Sequence, residues 1–436
     1  MIIDTLICGR WVIPVEPAVE ALDHYAVAVD SGRIVELLPI EDARTKYQAR
    51  ELHELTTHAV MPGLVNAHTH AAMSLFRGLA DDLPLMEWLN HHIWPAEQKW
   101  ASPEFVADGS ALAAVEMIRG GTTCFGDMYF FPDQTAEVAA ASGLRAVIGL
   151  IMIDFPTPWA RDADEYLAKG IEVHDRFRHH PLIRTAFAPH SAYIVSERSL
   201  THINTLAEEL DIPIHMHLHE AASEIEQSLE QHGKRPMQRL AELGMLSERL
   251  IAVHMTQLEA AEIELAARHR INVVHCPESN LKLANGFCPV RELMQAGINV
   301  ALGTDGAASN NDLDMVSEMR TAALLAKAVA RDPAAVPAAQ AIAMATLQGA
   351  RALGMEDVIG SLAPRKEADI IAIDLGDPET QPVYDPVSQI VYAANRNLVT
   401  DVWVAGRPLM LDRELLTIDV ESVLARAVNW AHRIRE

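Results

Sequence analysis

Eight short apolar runs recur along the middle of the chain, and stretches of helical character separate them. The runs are MPGLVNAHTH, TTCFGDM, LRAVIGLIMI, IRTAFAPH, IPIHMHLHE, LIAVHMT, INVVHCPES and INVALGTDG. Buried parallel strands read as apolar runs, so the alternation predicts repeated β-α units. One intervening stretch has Ser102 as N-cap, Pro103 at the first helical position and Gly120 just past the end, as is typical of a helix.

Eight β-α units favour an α/β fold of the closed (β/α)8 TIM-barrel type, which we place at residues 59–361. Periodicity alone leaves a doubly wound open sheet as the alternative. The flanks, residues 1–58 and 362–436, have a strand pattern instead: an Asp30-Ser31-Gly32 turn lies between apolar stretches, and ADIIAIDL and TDVWVAGRPLM resume the pattern. We therefore predict that the two flanks form one small composite β-sandwich domain.

Histidines and acidic residues gather at the carboxyl ends of the apolar runs. They are His68, His70, His190, His217, Glu220, His254, His275 and Asp305. In a barrel those ends form a single face, which is where active sites lie. Histidines that only occupied core or surface positions would not be restricted to the carboxyl ends of the strands, so this placement favours the barrel over the open sheet.

The spacing of several of these residues indicates a metal site. On an extended strand His68 and His70 point to the same face, and neutral imidazole is a common metal ligand. In HMHLHE, residues 215–220, three histidines share a face if the strand stays regular, although a metal site needs only one or two of them. Asp305 offers an acidic oxygen after the last run, or else forms an ordinary Asp-Gly turn.

Together these groups give a mixed nitrogen and oxygen shell suited to a catalytic zinc ion. The fourth run ends in His190, where a lysine would be needed to supply a carbamylated bridge to a second metal. We therefore expect one divalent metal ion per subunit, most consistent with Zn²⁺.

Composition narrows the class of partner. The formal net charge of −25, without a local basic patch, argues against nucleic acid as a partner. No apolar stretch reaches membrane-spanning length, and the start of the chain lacks a basic segment. Four scattered cysteines without a C-x-x-C pair fit a reducing compartment. We expect a cytoplasmic protein that forms homo-oligomers, takes a small-molecule substrate and does not bind membranes.

The long motifs extend this reading. H-x-H after the first strand, H-x-x-E after the fifth and an aspartate after the eighth resemble the amidohydrolase superfamily. Five longer segments resemble the 5-methylthioadenosine/S-adenosylhomocysteine deaminases: EWLNHHIWPAE, FAPHSAY, HLHE, HCPESNLKLANG and GTDGAASNNDLDM. The resemblance covers nearly the whole chain, including the flanks.

The resemblance implies a role for each matching residue. The metal ligands would be His68, His70, His217 and Asp305. Glu97 and His190 would contact the substrate with Trp88 and Glu220 beside them, and Glu220, His254 and Asp305 would serve the chemistry. A carboxylate such as Glu97, emerging beside aromatic surface, could accept both hydroxyls of a ribose.

The implied activity is zinc-dependent hydrolytic deamination of a free adenine nucleoside thioether to the inosine analogue and ammonia. Two alternatives stay open: a related hydrolase acting on a triazine, guanine or cytosine ring, and a non-catalytic relative that keeps the barrel as a scaffold. The sequence does not choose between 5'-methylthioadenosine, S-adenosylhomocysteine and adenosine. Arg161 is the arginine considered for a substrate carboxylate, and its role is left open.

Overall fold

A computed structural model describes all 436 residues, Met1–Glu436, and contains two eight-stranded sheets. The central sheet is parallel throughout, in the order β12-β11-β10-β9-β8-β7-β6-β5. Its strands are β5 Leu64–Thr69, β6 Thr122–Tyr129, β7 Arg145–Met152, β8 Ile183–Pro189, β9 Ile214–Leu218, β10 Leu250–His254, β11 Asn272–His275 and β12 Asn299–Leu302. Seven of the eight apolar runs contain a whole strand, and β6 extends one residue beyond its run.

The first and last strands of this sheet lie side by side, which brings it close to a complete barrel. The backbone N–H of Asp305, just beyond β12, donates to the carbonyl of His68 in β5 at 3.0 Å. The backbone N–H of Thr304 donates to the Asn66 side chain, also at 3.0 Å. The predicted TIM-type barrel is therefore confirmed, and the open-sheet alternative is wrong.

Helices surround the barrel because its strands are apolar on both faces; every residue of β6 and β7 is buried. Ser102 caps the helix that follows it, accepting from the backbone N–H of Phe105, as the sequence predicts. The helices of the chain are α1 Ile40–Lys46, α2 Leu85–Trp88, α3 Trp94–Trp100, α4 Pro103–Arg119, α5 Pro132–Ser142, α6 Ala163–Phe177, α7 Glu197–Leu210, α8 Ala222–His232, α9 Pro236–Glu242, α10 Ala260–His269, α11 Pro277–Lys282, α12 Val290–Gln295, α13 Met315–Ala330, α14 Ala338–Met344, α15 Leu347–Ala352, α16 Pro386–Tyr392 and α17 Val420–Arg435. None of them has both the length and the apolar composition needed to cross a membrane.

The second sheet is mixed and combines strands from both ends of the chain, in the order β16-β15-β14-β13-β4-β1-β2-β3. Its strands are β1 Ile2–Val12, β2 Leu22–Asp30, β3 Arg33–Pro39, β4 Gln48–Pro62, β13 Ile370–Asp374, β14 Val399–Val404, β15 Arg407–Leu411 and β16 Glu414–Leu415. Asp30 pairs with Arg33 across the turn between β2 and β3, so the predicted hairpin is present. The two flanks meet where β13 pairs with β4. The domain boundaries drawn from the sequence stay a prediction.

A buried ion pair fixes the second sheet against the barrel. Arg145, at the start of β7, donates from Nε and Nη2 to the two carboxylate oxygens of Asp369 at 3.0 Å each. Its Nη2 also donates to Glu367 at 2.6 Å. Further along the carboxyl-terminal flank, the Trp430 indole in α17 donates to Asp108 of α4 at 2.9 Å. Thus the flank both completes a sheet and packs on the barrel.

Candidate active site

Four donor groups converge at the carboxyl end of the barrel. They belong to His68, His70, His217 and Asp305, and one ligand atom of each lies within 4.8 Å of the others. Asp305 Oδ1 is 3.2 Å from His70 Nε2 and 3.4 Å from His68 Nε2, while the Nε2 atoms of His68 and His217 are 3.2 Å apart. Three strand ends thus aim their polar atoms at a single point.

The hydrogen bonds behind the rings show that this cluster suits a cation. His70 Nδ1 lies 2.5 Å from the carbonyl of Met128, and His217 Nδ1 lies 2.8 Å from the carbonyl of His190. Because a carbonyl only accepts, each Nδ1 carries the proton in the neutral ring, and the Nε2 lone pair points inward. Inward lone pairs beside a buried carboxylate repel one another unless a cation joins them, so these residues fit a divalent metal ion.

Burial keeps two of the imidazoles in the form that binds metals. Burial lowers the pKa of His68 to about 4, and it lowers the pKa of His217 well below the usual value. His68 Nδ1 also lies 3.0 Å from Nε2 of His215, which stands behind it on the strand face that β9 presents to the barrel interior. A neutral imidazole is the metal-binding form, so the barrel interior favours ligation before an ion arrives.

The Asp305 carboxylate accepts three hydrogen bonds. The hydroxyls of Ser279 and Ser309 donate to Oδ2 at 2.7 and 2.9 Å, and the backbone N–H of Gly306 donates to Oδ1 at 2.8 Å. Its φ of +63° lies in the left-handed region that a residue with a side chain seldom adopts. The surrounding hydrogen bonds maintain this strained backbone, as is common at functional sites.

Glu220 lies next to the cluster without belonging to it. Its Oε1 accepts from Asn285 Nδ2 at 3.2 Å and lies 3.8 Å from His254 Nε2. Its backbone N–H donates to the carboxylate of Glu224 at 2.7 Å. Burial raises the pKa of Glu220. A raised pKa makes a carboxyl group a better proton acceptor, which suits general acid-base catalysis.

His254 is placed to work beside Glu220. Its Nδ1 lies 2.9 Å from the side-chain oxygen of Asn280, which turns Nε2 towards Glu220. Its φ of +76° is again left-handed, so the last residue of β10 is strained in the same way as Asp305.

A cleft of about 1010 Å³ leads from the cluster to solvent. His70, His217, Glu220, His254 and Asp305 line its inner end. His190 also lies at this end, with its ring centroid 4.6 Å from that of His217. Trp88 and Glu97 line the cleft together with many apolar side chains. The structure therefore brings the site residues implied by the resemblance to one cavity, except His68, which lies behind the cavity wall as part of the metal cluster.

The wall with Glu97 comes from a helical segment over the barrel mouth. A π-helical turn, Leu89–Ile93, joins α2 to α3 and places Trp88 and Glu97 on the cleft. Burial raises the pKa of Glu97 to about 7, against the opposing effect of the nearby Tyr129 hydroxyl. That hydroxyl is buried and faces the Glu97 carboxylate, so the two groups form one polar feature on a mostly apolar wall.

Comparison with known proteins now bears on this geometry. A family model described as the amidohydrolase family matches residues 59–409. The chain belongs to the amidohydrolase family. It is 48% identical over 432 residues to the 5-methylthioadenosine/S-adenosylhomocysteine deaminase of Teredinibacter turnerae, covering 99% of this chain and 98% of the relative. The protein of the same name from Syntrophobacter fumaroxidans is 45% identical over 99% of this chain and 98% of the relative.

Solved structures agree with the fold of this amidohydrolase. An adenosine deaminase from Xanthomonas campestris with bound zinc is 53% identical, with a TM-score of 0.99, and the match covers 100% of this chain and 99% of that one. An atrazine chlorohydrolase from Arthrobacter aurescens complexed with zinc has a TM-score of 0.90 at 22% identity, covering 98% of this chain and 100% of that one. The second likeness shows the barrel fold alone. The first places the four-donor cluster in a chain whose relative binds zinc.

Two histidines of the sequence motifs lie elsewhere. His219 follows the end of β9 with a φ of +54°, so its ring leaves the face shared by His215 and His217. Its Nδ1 lies 3.1 Å from the carbonyl of Gln257. His275 is buried and does not line the cleft. The regular strand assumed for all three histidines of HMHLHE is therefore wrong at its last residue.

Several supporting residues of this amidohydrolase were not singled out from the sequence. They are Tyr129, Glu224, Ser279, Asn280, Asn285 and Ser309. Four of them lie inside HCPESNLKLANG and GTDGAASNNDLDM, so the motifs were the signal that could have found them. The spacing carried no information about Glu224, because its role depends on the helix α8 that begins after Glu220.

Proposed function

We propose that this amidohydrolase deaminates a free adenine nucleoside thioether, 5'-methylthioadenosine or S-adenosylhomocysteine, to the inosine analogue and ammonia. One observation carries the proposal: a single cleft has the metal-binding cluster and Glu220 at its inner end and the half-buried Glu97 on its wall. The full-length relatives named as deaminases of these two compounds support it.

In this proposal His68, His70, His217 and Asp305 hold one divalent ion, Zn²⁺. The set of three imidazoles and one carboxylate suits that ion and leaves a position open. When bound, such an ion lowers the pKa of a coordinated water towards about 7. His190 stands where a second metal would need a lysine, so we assign one ion to each chain.

Glu220 moves the protons. It takes a proton from the attacking water as the water oxygen bonds to C6 of adenine, and gives it to N1 of the ring. Glu220 then takes the second proton of the former water from the hydroxyl on C6 and gives it to the amino nitrogen. The bond from C6 to that nitrogen breaks, ammonia leaves, and C6 becomes a carbonyl carbon. His254, 3.8 Å from the Glu220 carboxylate, and Asp305 orient the attacking oxygen and stabilise the charge that develops.

In this proposal Glu97 binds the two hydroxyls of the ribose. A carboxylate accepts from two neighbouring hydroxyls, and the apolar surface around Trp88 lets the sugar and base pack beside it. His190 has a buried Nδ1 without a partner and lines the same cavity, which makes it available to the adenine ring. These roles distinguish a nucleoside from a triazine, which has no diol.

A substrate panel tests the proposal directly. We expect purified protein loaded with zinc to release ammonia from 5'-methylthioadenosine, with the ultraviolet change from adenine to hypoxanthine. Guanine, cytosine and atrazine should give no comparable turnover. Turnover of one of those rings in place of the adenosines would favour a related hydrolase, and no turnover at all would favour a scaffold.

Cellular location and assembly belong to the proposal as well. All four cysteines are free and buried, which supports a reducing compartment such as the cytoplasm. Homo-oligomer formation rests on the sequence expectation, and light scattering of the purified protein tests it.

A further inference from the structure

No lysine or arginine lines the cleft, and the histidines that line it lie at its inner end with the metal cluster. Glu97, Glu220 and Asp305 contribute carboxyl groups. The two candidate substrates differ in the substituent on the 5' carbon. 5'-Methylthioadenosine ends in an uncharged methyl group, but S-adenosylhomocysteine ends in an ammonium and a carboxylate.

The position of the 5' substituent follows from the proposed function, on which this inference rests. C6 lies at the metal cluster and the ribose diol lies at Glu97, so the substituent extends along the remaining walls. Apolar side chains of the segment after β7 and of the segment after β8 form much of these walls: Ile153, Phe155, Pro158 and Ile194. Since no wall has a cation, the argument holds whichever of them the substituent follows.

Two cationic side chains, Arg161 and Lys169, follow β7 in the chain, and both are paired outside the cleft. Arg161 Nε donates to one oxygen of Glu165 at 2.7 Å, and Lys169 Nζ lies 3.0 Å from the other oxygen. Lys169 also donates to the carbonyl of Trp159 at 2.5 Å. The Arg161 side chain is 83% exposed, and neither cation lines the cleft. The Glu165 carboxylate therefore forms ion pairs with both cations outside the cavity.

Moving charged groups out of water without new partners is unfavourable, and polar groups that stay unpaired lower affinity. We propose that the cleft selects adenine nucleosides with an uncharged, apolar 5' substituent, and that this enzyme is a 5'-alkylthioadenosine deaminase which discriminates against the charged amino-acid tail of S-adenosylhomocysteine.

Three substrates separate charge from size: 5'-methylthioadenosine, 5'-butylthioadenosine and S-adenosylhomocysteine. The butylthio compound matches the chain length of the homocysteine tail without its charges. We expect kcat/KM for the butylthio compound within about tenfold of that for 5'-methylthioadenosine, and kcat/KM for S-adenosylhomocysteine at least about tenfold below the butylthio value. Equal or higher values for S-adenosylhomocysteine overturn the inference and leave the proposed function standing. No turnover of any of the three contradicts the proposed function itself, and the inference with it.

Variants at the rim test the cause. Phe155 is 42% exposed and lines the cleft, so an arginine substituted at this position keeps its charge in contact with water. Phe155→Arg should raise the ratio of kcat/KM for S-adenosylhomocysteine to that for the butylthio compound by about tenfold. Phe155→Leu, the matched uncharged change, should leave the ratio unaltered. The same ratio in both folded variants, checked by circular dichroism, overturns the role of charge.

Arg161→Ala provides the opposite test. Because Arg161 is paired with Glu165 outside the cleft, its removal should leave kcat/KM for all three substrates within about twofold of the original. A selective loss of turnover on S-adenosylhomocysteine would show that Arg161 reaches the tail, and would overturn the inference.

Discussion

The inner end of the cleft and its outer wall are built in different ways. At the inner end, polar side chains come from the ends of barrel strands, and buried hydrogen bonds fix nearly every one of them, as the rings of His70 and His217 show. The outer wall is formed by short helices and loop segments. It is mostly apolar and includes the exposed Phe155. Glu97 contributes the carboxyl group of this wall.

This difference indicates a division of labour. The strand ends are rigid because the parallel sheet holds them, so they suit a reaction that needs fixed distances. The wall determines which molecule reaches them, and loops vary more readily than strands. We therefore expect changes at the inner end to alter metal content or the chemical step, and changes at the wall to alter the choice of substrate.

The largest effect should follow loss of a metal ligand. His217→Ala removes one of four donors from a buried cluster, so we expect metal content to fall from one equivalent per chain towards none and turnover to fall to background. Elemental analysis and ammonia release measure the two quantities. His232→Ala, at the exposed end of α8, is the matched control and should retain both. Full activity that needs two equivalents in the unaltered protein would contradict the single site.

A smaller but still large loss should follow Glu220→Gln. The amide cannot take up or release the proton, so kcat should fall by about 10³-fold, within the range for lost acid-base catalysis. Metal content should persist, since Glu220 is not one of the four donors. Glu226→Gln, at an exposed position on α8, controls for the change of charge. Near-normal rates in the glutamine variant would mean that another base acts, and Asp305 would be the first candidate.

Glu97→Gln moves the test to the wall. A hydrogen bond to a charged group contributes about 1.5–3 kcal/mol, so kcat/KM on 5'-methylthioadenosine should fall by about ten- to a hundredfold while metal content stays the same. The exposed Glu87→Gln in α2 is the control within the same segment.

A substrate without the diol completes that comparison. The 2',3'-dideoxy analogue should already be a poor substrate of the unaltered protein, and Glu97→Gln should harm its turnover far less. Equal losses on both substrates would show that Glu97 does not contact the ribose, and the nucleoside assignment would lose its local support.

The sequence predicted the two regions unequally. Eight apolar runs gave eight strands, because burial on both faces leaves a continuous pattern. The two-residue period of a strand also explains how H-x-H located the inner end, whereas Glu220 of H-x-x-E lies beyond the end of β9. The supporting hydrogen bonds could not be predicted from the sequence. Ser279 and Asn280 follow β11 and contact Asp305 and His254 at the ends of the two neighbouring strands, and spacing within one run says nothing about another. His219 departs from the pattern because its backbone turns left-handed where the strand ends.

We expect the smallest effect from the two serines that donate hydrogen bonds to the metal ligand Asp305. Substituting them tests whether a rigid inner end matters for metal binding. Ser279 and Ser309 both donate to Asp305 Oδ2, but only Ser309 lines the cleft. Ser279→Ala removes one of the two donors and leaves the substrate surface intact, so metal affinity should fall by about tenfold, the low end for a lost partner of a ligand. Competition with a chelator measures that affinity. At saturating metal, kcat/KM should return to within about twofold of the original value, because the missing contact holds the ligand and does not touch the substrate.

Ser309→Ala should weaken metal binding to a similar degree, and it alone should also alter KM at saturating metal. An unchanged metal affinity in both variants would show that the strand ends hold Asp305 without these hydroxyls, and that the inner end owes its rigidity to the backbone.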